Sequence, residues 1–546
     1  MPPDSSATSI PAWATWTKTA GAVCRTVLVL LFPACFGPHA AASAPHQAGS
    51  TEELDARRAP IIFTSGTSAP ERALPSLLTP RIAAPLLAQA QPAPQTESPP
   101  PRSPPRLDWH TGEGKSYLIP ALGIVGFDLL LNRFDYYFLE RPTYDVSYAS
   151  IKRNLRSDWV FDNDPYAINQ LGHPYQGSMY HGFARSAGLD FWESLGYAFS
   201  GSILWEIAGE TTPPSRNDQI ASGIGGSFLG EPLFRMANLL LEQGRVPRFW
   251  RELGAAAISP ATGFNRLAFG DRFKAVFPSR DPAWHARLDV GASLTTQNER
   301  GITQPLDRHE LIADFNMDYG LPGKRDYAYR RPFDYFNFQI SAATGNGVES
   351  LTTRGLLLGR DYGSGRDAHR GVWGLYGSYD YIAPQIFRVS TVALSLGTTA
   401  QWWLTRSVAL QGTALLGAGY GAAGTIRGID ERDYHYGFTP QAILAGRLIF
   451  GKRAALDVSL RDYYVSEVAS TEARGHENIT RAEATFTYRL HREHAVSLKY
   501  LWSQRQAHYP DLGDRRQARA TISLFYTILL GSRFGAVDWR EGSSRP

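Results

Sequence analysis

The sequence predicts an α+β protein in which a small N-terminal helical domain precedes a C-terminal antiparallel transmembrane β-barrel of about 12 strands. Three observations predict this class. Apolar residues alternate with period two through most of residues 278–532, the preceding segments have a helical period, and charged residues recur between the alternating apolar ones. Aromatic residues make up 12% of the chain while the mean hydropathy is slightly negative, a composition unlike that of a helical membrane protein.

The first 44 residues have the three parts of a secretory signal peptide. Basic residues precede an apolar run from Val27 to Phe36, and small residues follow at 41–44. The run is about half as long as a helix needs to be to span a bilayer, so we expect a cleaved signal peptide and export to the bacterial outer membrane. Both cysteines, Cys24 and Cys35, lie in this segment, and the mature chain is therefore expected to lack thiol chemistry.

The remaining chain divides into a linker, two folded regions and a tail. Residues 45–106 are rich in Pro, Ala, Ser and Thr and have no period that could bury a face, which predicts a disordered linker. Residues 107–277 form the predicted helical domain, residues 278–532 the barrel, and residues 533–546 a tail. The helix candidates are Tyr117–Leu131, Asp190–Gly209 and Ser215–Glu242.

The barrel prediction depends on repeated alternation. In the segment Ala520–Ile528, every second residue is apolar and the residues between are mostly polar. Segments of this kind begin near residues 284, 308, 333, 350, 371, 387, 407, 437, 453, 479, 494 and 516. Their length of about ten to fourteen residues suits a tilted crossing of a membrane, and short turns alternate with longer polar loops. A soluble β-sandwich, or a barrel with its apolar face inward, would alternate in the same way and is the alternative.

The two faces of these strands predict two environments. An apolar face requires lipid, whereas charged side chains on the opposite face must be hydrated or paired. The charged residues expected in the lumen are Arg287, Asp289, Asp314, Asp318, Asp457, Arg461, Arg481, Glu483 and Lys499. The aromatic residues expected in girdles at the membrane interfaces are Trp373, Tyr379, Tyr381, Trp402, Trp403, Tyr463, Tyr464 and Trp502.

Glycines and polar residues with distinctive spacing mark the helical domain between about residues 150 and 265. The stretch includes Asn163-Asp164-Pro165-Tyr166, Asn169-Gln170, Gly172-His173-Pro174-Tyr175-Gln176-Gly177, Trp205-Glu206, Asn217-Asp218 and Gly230-Glu231. On these residues the segment resembles a bacterial family of predicted envelope proteins, the domain of unknown function 3943 family. The resemblance implies an envelope location and supplies no assigned chemistry.

Four residues of this domain are candidate catalytic residues. Glu206 and Glu210 are four residues apart and share one face of an otherwise apolar helix, where two buried like charges require a cation or a proton. His173, on a turn, and Asp218, from the next helix, are expected to join them. This set suits a divalent metal at His173, Glu206 and Glu210, or acid/base hydrolysis without a metal. Alternatively, the histidine bonds backbone and the glutamates pair with arginines, namely Arg185, Arg216 or Arg235.

The third helix candidate carries further expectations. Ser215 and Asp218 have the spacing of a capping box, and Ser222, Gly226 and Gly230 form a stripe of small residues. We expect the stripe to pack closely against the Asp190–Gly209 helix. The candidate binding residues are Arg185, Ser215, Arg216, Glu231 and Arg235.

Two functions follow as hypotheses, and whether the protein is an enzyme stays open. The leading hypothesis is an outer-membrane barrel with a periplasmic helical module that packs at, or plugs, the barrel and acts in channel formation, transport or envelope assembly. The alternative is an envelope hydrolase or acyl-modifying enzyme that acts on lipid or lipopolysaccharide through the His/Glu/Asp centre. Expected partners are outer-membrane lipid, lipopolysaccharide and the barrel-assembly machinery. The net charge of +4, with scattered basic residues, argues against nucleic-acid binding.

Overall fold

The computed structural model describes residues 105–539 with short gaps. Outside the described residues are 1–104, 140, 163, 300–307, 345–346, 364–367, 385–386, 425–431, 468–474, 511–512, 532 and 540–546. The predicted signal peptide, both cysteines, nearly all of the predicted linker and the end of the predicted tail therefore lie outside the described residues.

The region before the barrel is helical, as predicted. Its helices are α1 (Leu118–Phe138), α2 (Arg141–Tyr144), α3 (Tyr148–Asn154), α4 (His173–Ser186), α5 (Phe191–Ala208), α6 (Arg216–Asp218), α7 (Gly226–Glu242), α8 (Arg248–Ile258) and α9 (Pro260–Ala268). Asp190 caps α5 because its side chain accepts from the Glu193 N–H at 2.8 Å while the Glu193 carboxylate accepts from the Asp190 N–H. Among the described residues, no helix is both long enough and apolar enough to cross a membrane.

The C-terminal region is a closed antiparallel barrel of twelve strands. The strands are β1 (Trp284–Glu299), β2 (Arg308–Tyr319), β3 (Phe336–Ala343), β4 (Gly347–Tyr362), β5 (His369–Ile382), β6 (Arg388–Trp403), β7 (Val408–Gly424), β8 (Tyr434–Phe450), β9 (Ala454–Val465), β10 (His476–His491), β11 (His494–Tyr509) and β12 (Gly513–Gly531). Each strand pairs with its sequence neighbours, and β1 closes the ring against β12. Every strand begins within three residues of its predicted start, so the barrel prediction is confirmed.

The inner face of the barrel is filled by paired charges. Arg287 contacts Asp457 at 2.8 Å, and the Arg447 guanidinium reaches both Asp457 and Asp318. Lys499 pairs with Asp314 at 2.8 Å. This confirms that the charged residues of the strands face the lumen.

Two predicted girdle residues also lie inside the barrel. Trp403 shares the strand parity of Gln401, and its indole donates to the Asp538 carbonyl at 3.0 Å. The Tyr463 hydroxyl donates to Asp380, whose other carboxylate oxygen accepts from Arg461. Tyr463 shares its strand parity with Arg461, and residues two apart on a strand point to the same face, so the placement of both aromatic residues in an interfacial girdle is wrong.

The helical module, residues 105–277, packs on the outer wall of the barrel and not in its lumen. Phe228 lies against Gly377, and Gly225 lies against Val392, both on the strand face that carries exposed Leu394 and Leu396. The Tyr379 hydroxyl donates to the Gln170 carbonyl at 2.5 Å. The module thus covers the outer faces of β3 to β8, contrary to the expectation of a plug. Tyr379 and Tyr381 pack in this contact and do not form a girdle.

The glycine stripe contacts a different helix from the predicted one. A Cβ on Gly226 would lie 2.6 Å from the backbone of Gly177, and a Cβ on Gly230 would meet Ser178 and His181. All three neighbours belong to α4, so the stripe allows close approach of α4 and α7 and not of α5.

Candidate functional site

Three of the four predicted catalytic side chains converge in the helical module. One ligand atom from each of His173, Glu206 and Asp218 lies within 4.8 Å of the others, and all three residues are buried. The His173 Nε2 atom is 3.7 Å from Asp218 Oδ1. These side chains come from α4, α5 and α6, so the site exists only where the three helices meet. Asp162 and Glu210 lie nearby. We call the five residues His173, Glu206, Asp218, Asp162 and Glu210 the cation-poor cluster.

Two wide helical turns bracket this cluster in the chain. A π-helical segment, Ile168–Gly172, ends directly before His173, and a second, Gln219–Gly225, begins directly after Asp218. Such segments insert an extra residue into a helix and redirect the side chains beside it, and they recur at functional sites. The two segments therefore set the directions in which His173 and Asp218 leave their helices.

Backbone contacts hold the two carboxylates in place. The Asn154 amide donates to the carbonyls of Glu206 and Glu210 at 3.4 and 3.0 Å, which fixes the last turn of α5. The Ser215 N–H donates to Glu206 Oε2 at 2.7 Å, and the Ser215 hydroxyl accepts from the Asp218 N–H at 3.2 Å. The predicted cap at Ser215 is confirmed for its hydroxyl, but the reciprocal half of the capping box does not form, because the Ser215 N–H donates to Glu206 and not to Asp218. The same residue therefore positions both acids.

Glu210 lies beside the cluster but points elsewhere. Its carboxylate accepts from the Trp205 indole at 2.6 Å and from the Thr212 hydroxyl at 2.9 Å. The group that could share one ion is therefore His173, Glu206 and Asp218, whereas the predicted metal set had Glu210 in place of Asp218. The prediction that Glu206 and Glu210 share one helix face is wrong, because α5 ends at Ala208 and Glu210 lies in the loop that follows, where its side chain meets its own donors.

A layer of amides and tyrosines joins the cluster to the barrel. The Asn217 amide donates to Asp162 at 2.8 Å and to Asp218 at 3.0 Å, and it lies 2.9 Å from the Tyr436 hydroxyl of β8. The Asn169 amide donates to the same Asp162 carboxylate and to the Tyr434 hydroxyl. Sequence reasoning assigned no role to the tyrosines, because nothing in a strand pattern indicates which outward side chains meet a helix.

The cluster has an excess of acidic groups. Within the described part of the chain, no lysine or arginine forms an ion pair with Glu206, Glu210, Asp218 or Asp162. Burial and the neighbouring Glu210 raise the pKa of Glu206 well above its ordinary range, and burial with Asp162 and Glu206 does the same to the pKa of Asp218. Burial raises the pKa of Glu210 to about 7.

The pKa of His173 is lowered, whereas the pKa values of the three acids are raised. Burial lowers the pKa of His173 to about 4, so the imidazole is neutral at pH 7 and one ring nitrogen can accept. A neutral imidazole beside two carboxyl groups that lack a counter-charge either binds a cation or holds protons. The arrangement therefore suits divalent metal binding and proton transfer.

The predicted binding residues form a separate ion-pair network. Glu231 accepts from Arg185 Nε at 2.6 Å and from Arg235 Nε at 2.8 Å, and His181 Nε2 lies 3.2 Å away. Arg235 also contacts Asp334 in the β2–β3 connection at 3.1 Å. We call this network of Arg185, Glu231, Arg235, His181 and Asp334 the paired cluster.

The paired cluster is closed and electrostatically satisfied. Burial alone would raise the pKa of Glu231, but the Arg185 and Arg235 guanidiniums outweigh it and hold this pKa well below its usual range. Arg185 and Arg235 therefore pair with Glu231 and not with Glu206 or Glu210 as the alternative expected. Arg216 is exposed, and its backbone N–H donates to the Val160 carbonyl.

Comparison with known proteins identifies the helical module and no function. Residues 158–261 match the family model of a domain of unknown function, DUF3943, which confirms the resemblance seen in the sequence. No curated protein matches the chain.

Solved structures that resemble the barrel do so distantly. The outer membrane protease OmpT from Escherichia coli is 8% identical, with 45% of this chain and 96% of that chain covered and a TM-score of 0.17. OpdO of Pseudomonas aeruginosa is 11% identical, with 45% and 97% covered and a TM-score of 0.17. The outer membrane channel DcaP of Acinetobacter baumannii is 8% identical, with 45% and 96% covered and a TM-score of 0.19. Likeness at this level says nothing about what this chain does.

Proposed function

We propose that the protein resides in the bacterial outer membrane, where the barrel holds the helical module against lipid and the module serves in transport or assembly of envelope lipids. The observation that carries this proposal is the apolar outer surface of the module. Large apolar side chains are exposed there, including Leu122, Leu129, Leu130 and Phe138 on α1, Phe249 and Trp250 on α8, and Phe264 and Leu267 on α9. Extended exposed apolar surface marks a contact with lipid or protein.

The apolar outer wall of the barrel also supports a location in lipid. Leu396, Leu416 and Leu524 are exposed on the strand face opposite the ion pairs. The module covers part of this wall and presents apolar side chains of its own on the other side. A membrane would therefore meet a continuous apolar surface made of strands and helices.

The lumen favours transport or assembly over a wide channel. Buried ion pairs such as Arg447 with Asp318 cross it, and its cavities measure about 80 and 20 Å³. We infer that the working surface of the protein is the lipid-facing side. In this proposal the partners are outer-membrane lipid and lipopolysaccharide, with the barrel-assembly machinery needed for insertion after signal-peptide cleavage.

Spin-label accessibility tests the location of the module. Cys24 and Cys35 are the only cysteines, so replacing both with alanine allows a single cysteine to be placed at Leu130 or Leu267. In lipid vesicles, we expect labels there to be accessible to oxygen and protected from a water-soluble nickel complex. A label at Leu396 on the outer barrel wall provides the lipid reference, and one at exposed Arg406 provides the aqueous reference. Labels on α1 and α9 that behave like the one at Arg406 would overturn the proposal.

A second candidate function is an envelope enzyme that acts on lipid or lipopolysaccharide. The observation that favours it is the convergence of His173, Glu206 and Asp218 within 4.8 Å. A divalent ion held by this set would polarise an ester or phosphate oxygen. In the metal-free form, neutral His173 would take a proton from an attacking water, and protonated Asp218 or Glu206 would donate its own proton to the leaving oxygen of the ester. Glu210, in the loop after α5, would influence the site only through its charge.

Metal content and lipid analysis test this candidate. We expect the purified full chain to bind about one Zn²⁺ or Mn²⁺, as measured by elemental mass spectrometry, and His173→Ala and Asp218→Asn to abolish that binding. Glu252→Gln, a change of an acid in α8 that pairs with Arg266, is the matched control. If cells that produce His173→Ala have the same lipid and lipopolysaccharide profile as wild type, the enzymatic candidate fails even when metal binds.

A further inference from the structure

A partly open apolar cavity lies between the helical module and the outer wall of the barrel. The cavity measures about 260 Å³. Its helical side includes Phe127 of α1, Met179 of α4 and Leu233 of α7, and its strand side includes Ile340 and Leu351. Both strand residues face outward, on the side of the barrel that meets lipid elsewhere around the ring.

A small polar region interrupts this apolar lining. Asp135, His173, Gln176 and Glu210 contribute to it, so the cavity borders the cation-poor cluster. The Asp135 side chain is 4% exposed, and its Oδ1 atom has no hydrogen-bond partner in the described part of the chain. Buried polar atoms are nearly always paired, so this carboxyl oxygen is available to a polar group that enters the cavity.

We propose that this cavity binds one acyl chain of a membrane lipid, with the ester or amide carbonyl at the head of that chain next to Asp135 and Gln176. The inference rests on the proposed location of the module in lipid, and it identifies an acyl chain of that lipid as the ligand of the module. Its size lies just below the range of about 300–1,000 Å³ typical of small-molecule pockets, which fits a single chain and not a whole multi-chain lipid.

The chemistry of the lining selects this occupant over water. A cavity walled by Leu, Ile, Phe and Met side chains stays dry and takes up apolar ligands. The polar region supplies the second N–H of the Gln176 amide, whose first N–H donates to the Tyr180 hydroxyl at 2.6 Å, and the Asp135 carboxyl group. Together with the protonated form of Asp135, this N–H matches a carbonyl at one end of an otherwise apolar ligand. Apolar side chains are exposed on α1, including Leu129 and Leu130, and they place the module next to membrane lipid. The proposed occupant of the cavity comes from the same lipid.

The position of the cavity also connects it to the candidate chemical centre. His173 and Glu210 belong to its lining, while Glu206 and Asp218 lie directly behind His173. A chain held in the cavity would therefore place its head-group linkage beside the cation-poor cluster. The same geometry serves a carrier that holds a lipid and an enzyme that acts on one.

Binding of a fluorescent fatty acyl ester tests the proposal on the full chain in detergent micelles. The probe is the methyl ester of cis-parinaric acid, which has the ester carbonyl of the proposed ligand and no carboxylate for the neighbouring acids to repel. Bound lipid is identified first by solvent extraction and mass spectrometry. Leu351→Trp fills the cavity from the strand side. Leu358→Trp introduces the same residue on the same strand, where Leu358 is 60% exposed to the outside, and is the matched control.

We expect wild type to bind about one probe per chain. Leu351→Trp should weaken binding, with a Kd that is higher by at least about tenfold. Leu358→Trp should bind as wild type does. Equal binding by the two tryptophan variants would overturn the proposal, as would non-saturable binding by wild type. Met179→Trp fills the same space from α4 and replaces Leu351→Trp if that variant does not fold.

The outcome separates this inference from the proposed function. Labels on α1 and α9 that lie in lipid, combined with no saturable probe binding, would remove the acyl-chain site and leave the location of the module intact. Saturable probe binding with labels in water would instead retain the cavity as an acyl-chain site and remove the lipid-embedded module. Asp135→Leu tests the polar region, because we expect it to weaken binding of the acyl ester more than binding of a hydrocarbon probe such as pyrene.

Discussion

The helical module contains two buried groups of charged residues that differ in one respect. In the paired cluster, Glu231 and Asp334 are matched by Arg185 and Arg235. In the cation-poor cluster, Glu206, Glu210 and Asp218 have only a neutral histidine beside them. Burial is the same in both places, so the difference is in the supply of positive charge. The paired cluster therefore stabilises the fold by itself, whereas the cation-poor cluster requires bound protons or a cation to balance its acidic groups.

The largest expected effect tests the paired cluster. Glu231→Ala leaves Arg185 and Arg235 buried without their shared carboxylate, and removing one partner of a buried pair costs about 3–5 kcal/mol. We expect the helices to unfold at a much lower temperature, measured by circular dichroism in detergent micelles. Glu252→Ala is the control, because the Glu252 side chain is 34% exposed and its pair with Arg266 should contribute less than about 1 kcal/mol. Equal effects of the two substitutions would contradict the assignment.

The next effect is a pH dependence that belongs to the cation-poor cluster. Glu210 has its pKa raised from 4.5 to about 7, so the folded state binds more protons than the unfolded state between these values. Stability of the metal-free protein should therefore fall as the pH rises from about 4.5 through about 7, by roughly 2–4 kcal/mol for this group, and then level off. His173 contributes a change of similar size and opposite sign between about pH 4 and pH 6.5, because its pKa is lowered from 6.5 to about 4. The raised pKa values of Glu206 and Asp218 add to the decline and outweigh the contribution of the histidine.

Glu210→Gln isolates that contribution. The variant should retain the helix signal and lose part of the decline in melting temperature between pH 5 and pH 8, since the amide does not titrate. The groups that face Glu210 are Asp135 of α1, Asp162 and Glu206, and they remain to titrate in the variant. A pH profile that matches wild type would show that Glu210 is not a proton-binding residue of the cluster.

A smaller effect should have the opposite sign to that of Glu231→Ala. Asp218→Asn removes an unmatched charge and keeps the side-chain shape, so the metal-free protein should be as stable as wild type at pH 8 or more stable by about 1–2 kcal/mol. The measurement is the same thermal unfolding, with a chelator present. Destabilisation as large as that of Glu231→Ala would show that Asp218 has a cationic partner and would remove the contrast between the clusters.

The smallest effect sharpens how the barrel supports the cation-poor cluster. The Tyr436 hydroxyl lies within 3.3 Å of amide groups of Asn169, Gln170 and Asn217, and Tyr436→Phe should cost about 1 kcal/mol. Tyr420 stacks on Tyr436, but its hydroxyl has no hydrogen-bond partner among the described residues. Tyr420→Phe should therefore leave the melting temperature unchanged, and a loss equal to that of Tyr436→Phe would contradict the role of the amide layer.

Sequence reasoning succeeded where the pattern is local. Alternation placed Arg287 and Asp457 on the inner face because residues of one parity share a face, and the ion pair confirms it. The Ser215 cap was predictable because it depends on residues three apart. Reasoning of the same kind mistook Tyr463 for a girdle residue, because an aromatic side chain near a strand end fits either face until its parity is compared with that of Arg461.

The candidate site was predicted in part. Helical spacing placed Glu206 and Glu210 on one face, but the helix ends at Ala208, and the loop that follows lets Trp205 and Thr212 engage the Glu210 carboxylate. The spacing also predicted a glycine stripe, but the prediction that it packs against α5 was wrong, because the stripe packs against α4. A face of small residues indicates how closely another helix can approach, but it does not indicate which helix does so.

By itself, the sequence determined the division into a helical region and a barrel of alternating strands, the lumenal position of the charges, and the identity of the residues that carry the candidate chemistry. These follow from periods and caps that span a few residues. Only the tertiary structure decided that the module lies on the outer wall, that Asp218 and not Glu210 joins His173 and Glu206, and that an apolar cavity opens beside them. Such contacts join residues far apart in the chain, and they depend on which surfaces pack together, which no local period encodes.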